Sequence, residues 1–403
     1  MNILMVNPVH PSTPHISAVR AWRFSQELAR LGHRVVYLTL SDRSPEDHEI
    51  PNLTTHDWST PAVVAIPVSV RPETQSSLPA TLRRFRTALR LLSVGGSNGA
   101  WVRRAAAAFR DSQCLFRPDV VWCTVGMFEA AILAKRIAKM KSCPWVVDIK
   151  DNWNLYVPRG LRHLMAMRIG GWTTATANAK FTWAVAAPYL NSSATVIYSG
   201  VDFEYFGDES VAPPSDQFVV NLIGSVYSTE RLTEFLKGFA TWLAKLDSKQ
   251  RESVLLRYFG GDQAHVDSAV RACHHDVAVE KAGYASPQTL AHCCKAAAVN
   301  AYIAFPATFH HKLLELIACG RPVIAMGSEH EESIELASQL RGDLTVVSDA
   351  DGVASVLNRV YVTERAGTRR ETSATPNRIY SWPNQARALE RVLIKAMGQK
   401  ASQ

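Results

Sequence analysis

Residues 305–325, FPATFHHKLLELIACGRPVIA, decide how this chain is read. An apolar run through Val299, Ala301, Ile303, Ala304 and Phe305 stops at Pro306. Leu313, Leu314, Leu316, Ile317 and Ala318 then recur at helical spacing, Gly320 stands where a left-handed cap would end the helix, and 322–325 is apolar again. The expected order is strand, loop, short helix, glycine stop, strand. In a parallel sheet this places the first helical turn, 309–312, just past the carboxyl end of a strand, where unpaired N–H groups and the helix dipole draw anions. Phe309, His310 and His311 lie at that end, Lys312 adds a positive charge that the dipole opposes unless an anion is bound, and Glu315 sits one turn on. A carboxylate there is placed to accept paired hydrogen bonds from vicinal hydroxyls such as those of a ribose. Spacing alone fits equally well an ordinary solvated i, i+3 pair.

Outside this stretch, 403 residues with 47% hydrophobic content suffice for two domains of ordinary size. Seven cysteines, an odd number without a C-x-x-C pair, suit a reducing cytoplasm better than a disulfide framework. MNILMVNP runs directly into a strand with no basic leader, and no apolar run approaches the ~20 residues of a membrane span, so a cytoplasmic chain is expected. The net charge of +8 is lopsided: residues 1–200 hold 23 Lys and Arg against 12 Asp and Glu. Within 82–110, Arg83, Arg84, Arg86 and Arg90 interleave with Leu82, Phe85, Leu89, Leu91 and Leu92, and Arg103, Arg104 and Arg110 follow. That pattern suits a helix lying on an anionic membrane surface, or a plain solvated helix. With only Phe85 and Trp101 as aromatic platforms, nucleic acid is not expected as a partner.

Strand and helix signals alternate along the chain. Asn2 to Val6 reads as a strand, 20–31 as an amphipathic helix ending at Gly32, and 35–40 as the next strand, one βαβ unit. His15, Ser17 and Arg20 precede or open that helix, either as ligand contacts or as its cap and solvated face. PDVVWCT reads as a buried strand, 128–140 as a helix and CPWVVDIK as another strand, so Asp148, Lys150 and Asp151 cluster where α/β sheets bind ligands, or merely cap the turn. Residues 173–190 read as one helix. ESVAPPSD has the composition of a linker. FVVNLIGSV ends a strand at Gly224 before the helix that contains Arg231, further strand and helix signals lead to 305–325, and YSWPNQARALERVLIKAM closes the chain as a helix. Cys273, His274, His275, His292, Cys293 and Cys294 are badly spaced for a tetrahedral site, and no metal is expected.

Several of these segments carry a family resemblance. KLLELIACGRPVIA strongly resembles the donor segment of the retaining, two-domain glycosyltransferases of family 4; Asp-x-x-Asp-x-Trp at 148–153 resembles a motif of bacterial polysaccharide glycosyltransferases; and Ile197, Gly200, Val201, Asp202 and Phe206 resemble the family's hinge signature. The resemblance implies the α/β fold called GT-B: two Rossmann-like domains facing a cleft, 1–200 for the acceptor and 201–379 for the donor, with part of 380–403 crossing back onto the first. It implies a nucleoside-diphosphate sugar as donor, a saccharide or lipid-linked saccharide as acceptor in cell-surface glycan synthesis, and neither metal nor cofactor. Carried over by position, Gly224, Ser225, Arg231 and Lys312 meet the diphosphate and Glu315 the ribose; Asp148 and Lys150 join Arg231 and Lys312 as catalytic groups; His15, Ser17, Arg20 and Asp151 lie on the acceptor side. Three departures stand out: Ala307 where a sugar-binding glutamate is usual, Ser225 for an arginine, and His15 and Ile16 where two glycines precede the first helix. They keep open a non-catalytic scaffold, and a nucleotide-sugar epimerase would share the architecture.

Overall fold

The structure, a computed structural model, describes residues 1–41, 62–70, 88–93, 95–96, 98–111, 116–190, 192–207, 216–275, 277–367 and 378–401. Arg83, Arg84 and Arg86, the linker at 209–215 and the polar segment 368–377 lie outside them. The chain divides into two compact units, Met1–Gly200 with Trp382–Gln403, and Val201–Ser381.

The first unit is built on a seven-stranded sheet in the order β3-β2-β1-β4-β5-β6-β7, every pair parallel. The strands are β1 Asn2–Val6, β2 Arg34–Ser41, β3 Val63–Ser69, β4 Val120–Val125, β5 Trp145–Ile149, β6 Thr174–Ala177 and β7 Ala194–Val196. The central strands read as continuous apolar runs because helices cover both faces. On one face α1 (Ile16–Arg30) and α15 (Trp382–Ala401) pack together: Phe24 meets Trp122 edge-on at 6.2 Å and Trp382 at 5.4 Å. Gly200 makes the approach possible, since a Cβ there would lie 2.5 Å from the Trp382 backbone. The closing helix therefore belongs to the first unit's core. On the other face α2 (Gly99–Asp111) and α3 (Phe128–Lys141) bury Trp101, Phe109 and Leu133.

Two expectations change here. Residues 173–190 are not one helix: Thr174–Ala177 is a strand between β5 and β7, and only Lys180–Leu190 (α6) is helical. Pairing on both edges outweighs the local alanine content. And the apolar stripe of α2 is not available to a lipid surface, because Trp101, Val102, Ala105 and Phe109 are in the core, while Arg103, Arg104 and Arg110 are exposed.

The second unit repeats the plan with six parallel strands in the order β10-β9-β8-β11-β12-β13. These are β8 Phe218–Ile223, β9 Val254–Phe259, β10 Glu280–Gly283, β11 Val299–Ile303, β12 Val323–Met326 and β13 Leu344–Val347. Helix α8 (Thr229–Leu243) packs on α14 (Ala350–Arg365) through Phe235, Phe239 and Trp242. Helix α12 (His311–Ala318) follows β11 and stops at Cys319, after which Gly320 adopts a φ of 67°, as its sequence requires. The chain's order reverses between β8 and β11, the place where open α/β sheets bind ligands beyond their carboxyl ends.

Candidate functional site

Two cations converge on that reversal point. Lys312, in the first turn of α12, donates from Nζ to the Ile223 carbonyl at 3.0 Å, bridging to the end of β8. Its ammonium also lies over the rings of Tyr302 at 5.3 Å and Tyr227 at 5.7 Å. Gly224, at φ 88°, opens the space: a Cβ there would come within 2.3 Å of Nζ. Arg231, in the first turn of α8, donates from Nη1 to the Ala304 carbonyl at 2.6 Å, beyond β11, across Gly327, whose missing Cβ would otherwise strike Nη1. Among the described residues no carboxylate forms an ion pair with either. Glu329 and Asp262 act on Lys312 only at longer range, and burial pulls its pKa down to about 8. Two part-buried cations whose printed partners are carbonyls and ring faces leave positive charge uncompensated at a helix N-terminus.

The surroundings are rigid. His310 is buried, its Nε2 accepting the Phe305 amide at 3.1 Å and its Nδ1 lying 2.6 Å from Glu329. Accepting through Nε2 puts the proton on Nδ1, the neutral tautomer. Burial lowers the His310 pKa, against the pull of Glu329. Burial pushes the Glu329 carboxyl up, but contacts with His310, Tyr302 and Ser333 outweigh it and hold it below the usual range. Tyr302 donates to Glu329 at 2.7 Å, which fixes one of the rings under Lys312. The loop after β8 is braced by Asp262, whose Oδ2 accepts the Val226 amide at 2.8 Å. Glu329, Tyr227 and Asp262 have no signal in the linear sequence beyond their places after strand ends, nor Tyr302 beyond its place near the end of β11. Tyr227 stacks on Phe305 at 5.5 Å and is exposed, as is Ser225.

Of the predicted donor residues, Gly224, Arg231 and Lys312 come together, and Glu315 follows one turn along α12 with its carboxylate 3.0 Å from His311 Nε2. His310 and Phe309 are buried behind the helix end, so their side chains support the site and do not face a ligand.

In the first unit the predicted residues separate into two groups. Arg20 is fully buried and forks onto Asp148, with Nε to Oδ2 and Nη2 to Oδ1 both at 2.9 Å. Thr176 adds a hydrogen bond to Asp148 Oδ1 at 2.7 Å, and Arg20 reaches the Ile197 carbonyl at 2.8 Å. These groups pin α1, β5, β6 and the segment after β7 together; placed among catalytic and acceptor-side residues by position, they are interior fastenings. Ser17 is likewise interior, and His15 caps α1 by accepting the Ser17 amide at 3.1 Å. Lys150 and Asp151 form the other group, paired at 2.6 Å past β5, and Gly126 lies close enough that a Cβ would stand 2.6 Å from Asp151 Oδ2. Burial and the nearby Lys150 charge both lower the His15 pKa.

Residues 17–204 match a family model described as a glycosyl transferase 4-like domain. No curated protein matches the chain in sequence. Solved structures match it over nearly its whole length: sucrose-phosphate synthase from Thermosynechococcus elongatus (14% identity, 98% of this chain and 99% of that one, TM-score 0.70), HepE from Anabaena in complex with UDP and glucose (15%, 98% and 99%, 0.64), and a glycosyltransferase from Rickettsia africae (14%, 98% and 98%, 0.62). At such identity the likeness gives the fold alone. Residues 17–204 thus resemble a glycosyl transferase 4-like domain, and the two parallel sheets are those of the GT-B fold.

Proposed function

We propose that the protein transfers a sugar from a nucleoside-diphosphate sugar to a saccharide or lipid-linked saccharide with retention at the anomeric carbon. The observation that carries this is the pair of cations, Arg231 and Lys312, held at the reversal point of the second sheet with no carboxylate partner among the described residues. A diphosphate supplies the missing charge, and Glu315, oriented by His311, accepts hydrogen bonds from the ribose hydroxyls. The HepE complex with UDP-glucose, on a similar fold, makes a uridine donor the first to test.

In the reaction the bond from the anomeric carbon to the diphosphate oxygen breaks as the bond to the acceptor oxygen forms on the same face. The acceptor's proton passes to a diphosphate oxygen. Negative charge grows on the leaving group, and Lys312, Arg231 and the first amides of α12 are already oriented toward it, so little reorganisation is needed. The fixed cations supply the neutralisation that a divalent ion would otherwise provide. Lys150 and Asp151 in the first unit are proposed to bind acceptor hydroxyls.

Titration with UDP-, GDP- and dTDP-sugars, followed by NMR of the product's anomeric configuration, tests the reading. One donor is expected to bind and turn over with retention, and Glu315→Ala to lose binding by about tenfold or more. Binding without turnover on any acceptor would favour a scaffold. Scrambling of the sugar's own stereocentre would favour an epimerase.

A further inference from the structure

The longest acid-free run of the chain, Asn152 to Val201, carries Arg159, Arg162, Arg168 and Lys180 and no Asp or Glu. Its first part folds as α4 (Trp153–Tyr156), a 3₁₀ turn at Arg159–Leu161 and α5 (Arg162–Ile169). The inward residues Trp153, Val157, Met165, Ala166 and Ile169 join the core. The outward residues are unusually apolar: Leu155 is 50% exposed, Tyr156 51%, Leu164 45% and Met167 68%. Single exposed apolar side chains are ordinary, but four within thirteen residues of a folded, otherwise cationic surface are not.

Hydrogen bonds hold this surface together and extend it. Arg162 donates from Nη2 to the Asn154 carbonyl at 3.0 Å and from Nε to the Val157 carbonyl at 3.2 Å, fixing α4 beside α5. Arg168 donates to the Leu92 carbonyl at 3.0 Å and the Ser93 carbonyl at 2.9 Å, which brings the helical turn at 88–93 alongside, with Leu89 58% exposed. Lys135 reaches the Arg168 carbonyl at 3.1 Å. Burial, and then repulsion from Arg168 and Lys139, lowers the Lys135 pKa, as expected where positive charges crowd. Among the described residues no ion pair neutralises Arg159, Arg162, Arg168 or Lys135.

We infer that the face formed by Leu89, Leu155, Tyr156, Leu164 and Met167, with Arg159 and Arg168 among them, docks on an anionic lipid bilayer. Apolar side chains that enter the acyl boundary, beside cations that meet phosphate headgroups and on a run of chain that holds no acid from 152 to 201, match such a surface. Of the stretch predicted for this task, 82–110, Leu89 joins this face, while the apolar stripe of α2 is spent on the core; the other apolar residues of the face come from 155–167. This docking rests on the lipid-linked acceptor for its purpose. Because Asp151 is followed directly by the turn that opens α4, it places the Lys150–Asp151 pair next to the lipid surface.

The test is sedimentation of the full-length protein with vesicles of equimolar phosphatidylglycerol and phosphatidylcholine, and with phosphatidylcholine alone. Binding is expected to the first only and to weaken as salt rises. Leu164→Glu with Met167→Glu is expected to reduce it more than tenfold, and Arg159→Glu by about tenfold. Circular dichroism and nucleotide titration of the same variants are expected to be unchanged, since these residues belong to the first unit and the proposed donor groups to the second. No binding to the anionic vesicles overturns the inference, as does equal binding by the double variant. A self-association seen by sedimentation velocity and abolished by the double variant, without vesicle binding, overturns it in favour of a second copy of the chain. Neither donor nor acceptor enters the assay, so the docking face and the transferase chemistry fail separately.

Discussion

Arg20–Asp148 in the first unit and Lys312 in the second are both charged groups withdrawn from water at the carboxyl side of a parallel sheet, and they are treated in opposite ways. Asp148 receives two bonds from one guanidinium and a third from Thr176, while Arg20 places two further donors on Ser199 and the Ile197 carbonyl. Lys312 has one carbonyl and two ring faces, and its charged form is disfavoured. A charge met by an opposite charge holds the fold, whereas one met only by carbonyl and ring faces waits for a ligand.

Removing one charge from each place should give opposite results. Asp148→Ala leaves a buried guanidinium without its carboxylate and is expected to destabilise the protein by about 3–5 kcal/mol in denaturant titrations. Donor affinity, measured where the variant is still folded, should hold. Lys312→Met keeps the volume but deletes the uncompensated charge. It is expected to lower kcat/KM by about 10- to 100-fold through lost charge-assisted bonds to the diphosphate. At neutral pH it should leave stability equal to the parent or raise it by roughly 1–3 kcal/mol, since the charged form's burial cost is gone. A Lys312→Met protein as unstable as Asp148→Ala would erase the distinction.

A smaller effect probes the space around the lysine. Gly224→Ala puts a methyl where Nζ now sits and forces an L-residue to φ 88°. About 1–2 kcal/mol of stability should be lost, with a several-fold rise in the donor's KM because Lys312 must swing aside. Gly32 makes the control: its φ is 93°, but no atom lies within reach of an added Cβ, so Gly32→Ala should lose stability alone.

The donor helix was legible because four aliphatic residues at helical spacing, a glycine stop and flanking apolar runs agree on one structure, and Lys312 and Glu315 have their places on it fixed by that spacing. The order of strands followed from the same alternation. Asp148 and Asp151 show where linear pattern fails: they stand at the end of one strand and just past it, three residues apart, and only the packing of Arg20 from α1 decides that the first points inward. Thr174–Ala177 was absorbed into a helix because a four-residue strand buried on both faces has no period to announce it. Glu329, Tyr302 and Asp262 come from three separate loops or strands, and only the order β9-β8-β11-β12 brings them around the same lysine.

The smallest effect at neutral pH, and the one most specific to the lysine, is its response to alkali. With the free-enzyme pKa at about 8, Lys312 is charged below that pH and kcat/KM for the donor should be flat in this group; above it, each pH unit should cost about tenfold as the neutral amine loses the diphosphate. In the donor complex the bound anion favours the ammonium, so the corresponding limb of kcat should lie at higher pH. Stability should move the other way. The folded pKa lies below the ordinary 10.5, so the burial cost is fully present below about pH 8 and is relieved as the pH rises from there toward 10.5. Rising stability together with falling donor affinity over the same interval, both absent in Lys312→Met, has one cause: a cation held short of partners until the diphosphate arrives. A kcat/KM that stays flat to pH 10 would show instead that Arg231 and the helix amides hold the donor without it.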